Sequence, residues 1–74
     1  MTRGELVDAL LRLQIPSSAY SLDGPGPGEC YCLEADVGSW TTYYSERGLR
    51  RSIVRYSSEE QANEAFLAKL ITSD

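Results

Sequence analysis

The stretch Trp40 to Ser45, WTTYYS, constrains this chain more than any other segment. Every residue in it except Ser45 is aromatic or β-branched. Such side chains fit a pleated, half-buried surface and lose rotamer freedom in a helix. It reads as a strand, with Trp40, Thr42 and Tyr44 on one face and Thr41 and Tyr43 on the other. Glu46-Arg47-Gly48 follows as a tight hairpin connection in which Gly48 suits a positive φ. Leu49 to Tyr56 then returns as the next strand. Ile53 and Val54 are adjacent and both apolar, which breaks the alternation and predicts a bulge or a strand buried on two sides. Upstream, Glu29 to Asp36 alternates Tyr31, Leu33 and Ala35 with Cys30, Cys32 and Glu34, and a turn around Gly38 joins it to the WTTYYS strand. Tyr20 to Leu22 has room for one more short strand.

Helix signals bracket these strands. Thr2 and Glu5 form a T-x-x-E capping box, and Leu6, Leu10 and Leu13 follow at helical spacing with Val7 and Leu11 beside them. Arg3, Asp8 and Arg12 fit the exposed face. Pro16 disfavours helical geometry at Ile15, so this helix ends near Leu13 or Gln14. Ser57 and Glu60 form a second box, opening a helix from about Ser58 to about Thr72. Its buried row is Ala62, Phe66 and Leu70, with Ala65, Leu67 and Ile71 alongside. Glu59, Gln61, Asn63, Glu64 and Lys69 read as solvent-side. The expected fold is α+β in two layers: an antiparallel three- to four-stranded meander flanked in sequence by an N-terminal and a C-terminal helix. The chain has 74 residues, read as a single domain spanning 1–74. A domain of this size buries only roughly 60% of the surface its unfolded chain exposes, so few apolar side chains are left to line a deep pocket.

Chemistry is sparse. The chain has no histidine, the commonest general base, and no serine in a nucleophile-elbow context. Cys30 and Cys32 lack a histidine partner and the further ligands a metal needs. On one strand they share a face, where a disulfide would be strained, so they read as reduced core thiols. The loop DGPGPG (Asp23 to Gly28) lacks the G-K-[ST] ending and following helix of a phosphate-binding loop. Glu34 and Asp36 form a carboxylate pair that a small hydrolase would need to place in a groove. The chain is expected not to be an enzyme, with no cofactor and no metal. Its N-terminal apolar stretch is interrupted by Glu5, Asp8 and Arg12, and no run approaches the roughly 20 apolar residues of a membrane span. A cytoplasmic location is expected.

Binding is better supplied. The formal net charge is −4, from 7 basic and 11 acidic residues, which repels nucleic-acid phosphates at long range and attracts basic protein surfaces. Yet Arg47, Arg50, Arg51 and Arg55, four of the seven basic residues, fall on the last hairpin near Tyr43, Tyr44 and Tyr56. Basic groups interleaved with aromatics suit single-stranded nucleic acid, and double-stranded-RNA-binding domains share the helix, three-strand, helix order. Those domains place basic residues at the start of the second helix, where this chain has Ser57-Ser58-Glu59-Glu60. Tyrosine, tryptophan and arginine are also the types enriched at protein-binding hot spots. The first expectation is therefore a protein-binding module contacting its partner through Tyr43, Glu46, Arg47, Arg50 and Arg51. RNA binding through the arginine-rich hairpin is the alternative, and a carboxylate-pair hydrolase the third. An uncovered edge strand also has the means to pair two copies across a two-fold axis.

The segments WTTYYSERGLR and YSSEEQANEAFLAKL, with the N-terminal E-L-x-x-x-L-L and the I-P-x-x-A-Y-S-L-D-G turn, resemble small actinobacterial immunity-type proteins associated with polymorphic toxins. The resemblance spans nearly the whole chain and carries no catalytic motif. It implies a small acidic protein that binds and neutralises a co-encoded toxin. GPGPG and the Cys30/Cys32 pair have no place in that pattern.

Overall fold

The computed structural model describes residues 1–24 and 28–72. Helix α1 spans Arg3–Arg12, and a single 3-10 turn covers Ser17–Ala19. Four strands follow: β1 Tyr20–Ser21, β2 Cys30–Asp36, β3 Ser39–Glu46 and β4 Leu49–Tyr56. Helix α2, Glu59–Thr72, closes the chain. The fold is α+β, as the pattern predicts. The sheet order is β1-β2-β3-β4, and β2, β3 and β4 form the antiparallel meander. The added strand β1 departs from it by pairing parallel to β2, with Tyr20 opposite Tyr31 and Ser21 opposite Cys32. The sheet is therefore mixed. Of the DGPGPG loop, residues 25–27 lie outside the described part of the chain.

Both helices cover one sheet face. Leu6 and Leu10 from α1, Leu33 from β2, and Ala62 and Phe66 from α2 are buried together, with Tyr20, Tyr31, Trp40, Tyr56 and Leu70 packed around them. The Trp40/Thr42/Tyr44 set thus faces the helices. Tyr31 and Tyr44 meet edge to face there, with ring centroids 5.0 Å apart, a favoured arrangement for paired quadrupoles. The α1 stripe is narrower than its spacing suggests, because Leu11 and Leu13 are exposed. Among the described residues, no helix is long and apolar enough to cross a membrane.

The helix ends follow from local chemistry. Thr2 and Glu5 make the reciprocal capping box. Gln14 adopts a left-handed φ of 58°, its N–H reaches the Leu11 carbonyl at 3.1 Å, and the Ile15 N–H reaches that of Leu10 at 3.1 Å. This is a Schellman stop, reinforced by the following proline. At α2 the cap lies one residue later than expected. The Ser58 hydroxyl accepts from the Gln61 N–H at 3.4 Å, and the Ser58 carbonyl accepts from Ala62 at 3.1 Å. Ser57-x-x-Glu60 and Ser58-x-x-Gln61 both satisfy the motif, and Ser58 is the residue that caps the helix. Asn63 also differs from expectation: it is fully buried, and its side-chain amide donates to the Met1 carbonyl at 3.0 Å.

The turn Arg47-Gly48 has φ of 50° and 79°, the double positive-φ pattern of a type I′ hairpin, whose twist matches that of the strands. Arginine there, like glutamine at position 14, occupies a region that favours glycine or asparagine. Gln14→Gly and Arg47→Asn are each expected to stabilise the protein by about 0.5–1 kcal/mol, the relieved left-handed penalty less any chain entropy added to the unfolded state. That corresponds to a rise of several degrees in Tm for a domain of this size, measurable by thermal denaturation. An unchanged or lowered Tm would count against the backbone argument.

Candidate functional site

The sheet face away from the helices carries the ionic chemistry. Its side chains include Cys30, Cys32 and Glu34 from β2 and Thr41, Tyr43 and Ser45 from β3, matched pairwise across the register. From β4, Arg50 lies opposite Ser45 and Arg55 opposite Thr41. Tyr43 is only 1% exposed and clusters with Cys30 and Cys32. Its hydroxyl donates to Glu34 Oε1 at 3.0 Å. The Arg50 guanidinium sits 4.7 Å above the Tyr43 ring and 3.6 Å from the same Glu34 oxygen. The described part of the loop after β1 approaches this group. The Gly24 N–H bonds the Leu33 carbonyl at 3.3 Å, and a Cβ on Gly24 would lie 3.3 Å from Glu34 Oε1. Arg3 holds the loop through Asp23 at 2.9 Å.

Tyr43, expected as a contact residue, is therefore not presented at the surface. Trp40 packs against the helix-covered core and Tyr44 lies half-buried on the same face against Tyr31, while Tyr43 lies beneath Arg50. Burial first, then the hydrogen bond to Glu34 and the neighbouring negative charges, pushes the Tyr43 phenol far above its ordinary value of 10.0, with Arg50 partly offsetting them. The phenol therefore stays protonated through the physiological range. An unfolded tyrosine releases its proton near pH 10 while folded Tyr43 retains it. Above that pH the unfolded state binds fewer protons, so stability falls as pH rises. Tyr43→Phe is expected to flatten this alkaline limb in denaturant titrations between pH 9 and 11.5. An equally steep limb in the variant would show that Tyr43 is not its source.

Glu34 and Asp36 share this face, but each carboxylate is occupied: Glu34 by Tyr43 and Arg50, Asp36 by accepting from the Val37 N–H at 2.8 Å. The Cys30 and Cys32 sulfurs are buried 3.8 Å apart, well beyond the roughly 2.05 Å of a disulfide bond. Among the described residues, no group of three or more His, Cys, Asp or Glu is placed to hold a metal ion.

The most accessible chemistry lies on β4. This strand is the outer edge of the sheet, and Leu49 through Arg55 are all exposed. Between Thr42 opposite Val54 and Tyr44 opposite Arg51 the register shifts, so Ser52 and Ile53 together face Tyr43. Ser52 has φ of 56°. This is the bulge that the Ile53-Val54 adjacency predicts. Arg51 pairs with Glu46 at 3.2 Å, and Arg50 with Glu34, whereas Arg47 and Arg55 have no ion pair among the described residues. Four of the five expected contact residues, Glu46, Arg47, Arg50 and Arg51, are thus gathered on the β3–β4 hairpin, with Tyr43 beneath them.

No family model, curated protein or solved structure matches this chain.

Geometry and charge carry the functional reading. Residues 47–56 contain Arg47, Arg50, Arg51 and Arg55 and no acid. Setting those 4 apart from the 7 basic residues leaves 3 against all 11 acidic ones, so an acidic body carries a basic edge. An open depression of about 380 Å³ between Ile15, Pro16, Tyr31, Tyr44 and Leu70 lies elsewhere, and no described residue in its lining is an arginine or lysine. The hairpin turn before β4 predicts its strand but not its exposure. The sign in the sequence is the acid-free cluster of arginines at 47–56 in a chain of net negative charge.

Proposed function

We propose that this chain is a non-catalytic, cytoplasmic protein-binding module that acts as an immunity protein, occluding the surface of a cognate toxin. The observation that carries the reading is the exposed β4 edge with the turn that leads into it, where Arg47, Arg50, Arg51 and Arg55 cluster on a molecule of net negative charge. Arg47, Arg50 and Arg51 are the proposed contacts and Glu46 a supporting charge. Tyr43 acts from below, fixing Glu34 and, through its ring, Arg50. A charged rim of this kind accelerates encounter and rejects wrong partners more than it adds raw affinity. The mixed-sign field also favours a protein over a long polyanion, because a nucleic acid extending past the edge meets the acidic body.

The test is co-expression with the product of the adjacent reading frame. Growth protection, together with co-elution of the two proteins, supports the reading. Arg47→Glu is expected to weaken that complex while leaving the thermal melt unchanged. Absence of both protection and co-elution overturns the immunity assignment.

A further inference from the structure

We propose that the β4 edge takes an acidic, extended segment of a partner protein as a fifth strand of the sheet. The proposal rests on the protein-binding reading and names its geometry. An edge strand leaves a row of backbone N–H and C=O groups directed outward, and β4 runs from Leu49 to Tyr56 at the end of the order β1-β2-β3-β4. Apolar side chains are exposed along it: Leu49 at 59%, Ile53 at 58% and Val54 at 41%. Arginines alternate with them on both faces. Register puts Arg50 and Arg55 on the Tyr43 side and Leu49, Arg51 and Val54 on the helix side. In strand addition, main-chain bonds supply affinity and side-chain complementarity supplies specificity. The complementary strand bears carboxylates on both faces, interspersed with apolar residues.

Charge decides the occupant. A second copy of this chain fits poorly: antiparallel self-pairing centred between Ser52 and Ile53 sets Arg50 of one copy opposite Arg55 of the other, and facing like charges destabilise a strand pair. The bulge at Ser52 adds twist that further disfavours flat self-stacking. A single-stranded nucleic acid would satisfy the arginines but not Leu49, Ile53 and Val54, and it would find the Tyr43 ring covered. The opposite edge, β1, spans only two residues and offers little to pair with.

The experiment selects a phage-displayed library of random dodecapeptides on the intact protein. The enriched peptides are then synthesised with and without N-methylation at alternate backbone positions. The expected consensus is rich in Asp and Glu interspersed with β-branched residues. N-methylation, which removes main-chain donors but keeps the charges, is expected to weaken binding at least about tenfold, or 1.4 kcal/mol. The double variant Arg47→Glu/Arg55→Glu, which breaks no ion pair among the described residues, is expected to weaken binding similarly with an unchanged melt. Neutral or basic consensus peptides, or N-methylated peptides that bind as well as their parents, overturn the proposal. So does a dT12 oligonucleotide that binds more tightly than the selected peptides, or self-association that shifts the amide signals of Ile53 and Val54. Failure here alongside a positive co-expression test would leave the binding-module reading standing and move its contact away from the strand edge.

Discussion

Tyr43→Ala is expected to destabilise the protein by about 3–5 kcal/mol, the range for truncating a buried aromatic ring. Three losses coincide. The ring leaves a cavity beside Cys30 and Cys32. Glu34 loses a hydroxyl donor at 3.0 Å. Arg50 loses the ring 4.7 Å beneath it, a contact of about 0.5–1 kcal/mol at a partly exposed site. A domain of this length commonly has roughly 4–11 kcal/mol of total stability, at about 0.05–0.15 kcal/mol per residue. The variant therefore stands near the folding threshold at 37 °C. Urea denaturation followed by far-ultraviolet circular dichroism reads the effect, with Tyr43→Phe as the companion. Phe keeps the ring and removes only the bond to a charged acceptor, about 1.5–3 kcal/mol. If Tyr43→Ala costs less than Tyr43→Phe, the ring is not the buried element described. The consequence for function is direct: lost partner binding in Tyr43→Ala reports unfolding, and only the exposed arginines give clean tests of the interface.

Tyr43 also marks where sequence reasoning reaches and where it stops. Alternation along WTTYYS assigns its side chains to two faces, and the capping box at Thr2, the Arg47-Gly48 turn and the bulge beside Ile53 are all local signals written within a few residues. They fix element type and much of the meander. What escapes is long-range. Both sheet faces bury aromatics, because helices cover one and Arg50, held by Glu34, covers Tyr43 on the other. Glu34 and Arg50 lie on different strands, so neither the clamp nor the burial it produces has a periodic signature. The parallel pairing of β1 rests on two residues, too few for any pattern. Asn63 looks like one more polar position on α2, yet it is buried, and its amide donates to the Met1 carbonyl 62 residues away. The choice of Ser58 over Ser57 as cap is degenerate in the sequence itself. The arginine edge was legible as a cluster, and its accessibility emerges only once the strand order places β4 outermost.

Phe66→Ala probes the opposite face of the same sheet and is expected to cost a similar 3–5 kcal/mol. Phe66 is fully buried at the centre of the cluster formed by Leu6, Leu10, Leu33 and Ala62. It is the largest side chain that α2 contributes to this core, and α2 packs against β2, β3 and β4 as well as α1. Its loss therefore loosens the attachment of both helices to the sheet, since α1 packs chiefly on α2. Surrounding side chains have little room to collapse into the gap: Leu33 is fixed on a central strand, and Asn63, one residue along from Ala62, is tied to Met1. In denaturant titration the midpoint should fall with little change in slope, because a slope tracks the surface exposed on unfolding. Amide exchange separates this variant from Tyr43→Ala. Phe66→Ala should lower protection throughout α1 and α2, whereas Tyr43→Ala should lower it first at β4 and the loop after β1. Uniform loss of protection in both variants would instead show that the two faces unfold as one cooperative unit, and that Tyr43 belongs to the same core as Phe66.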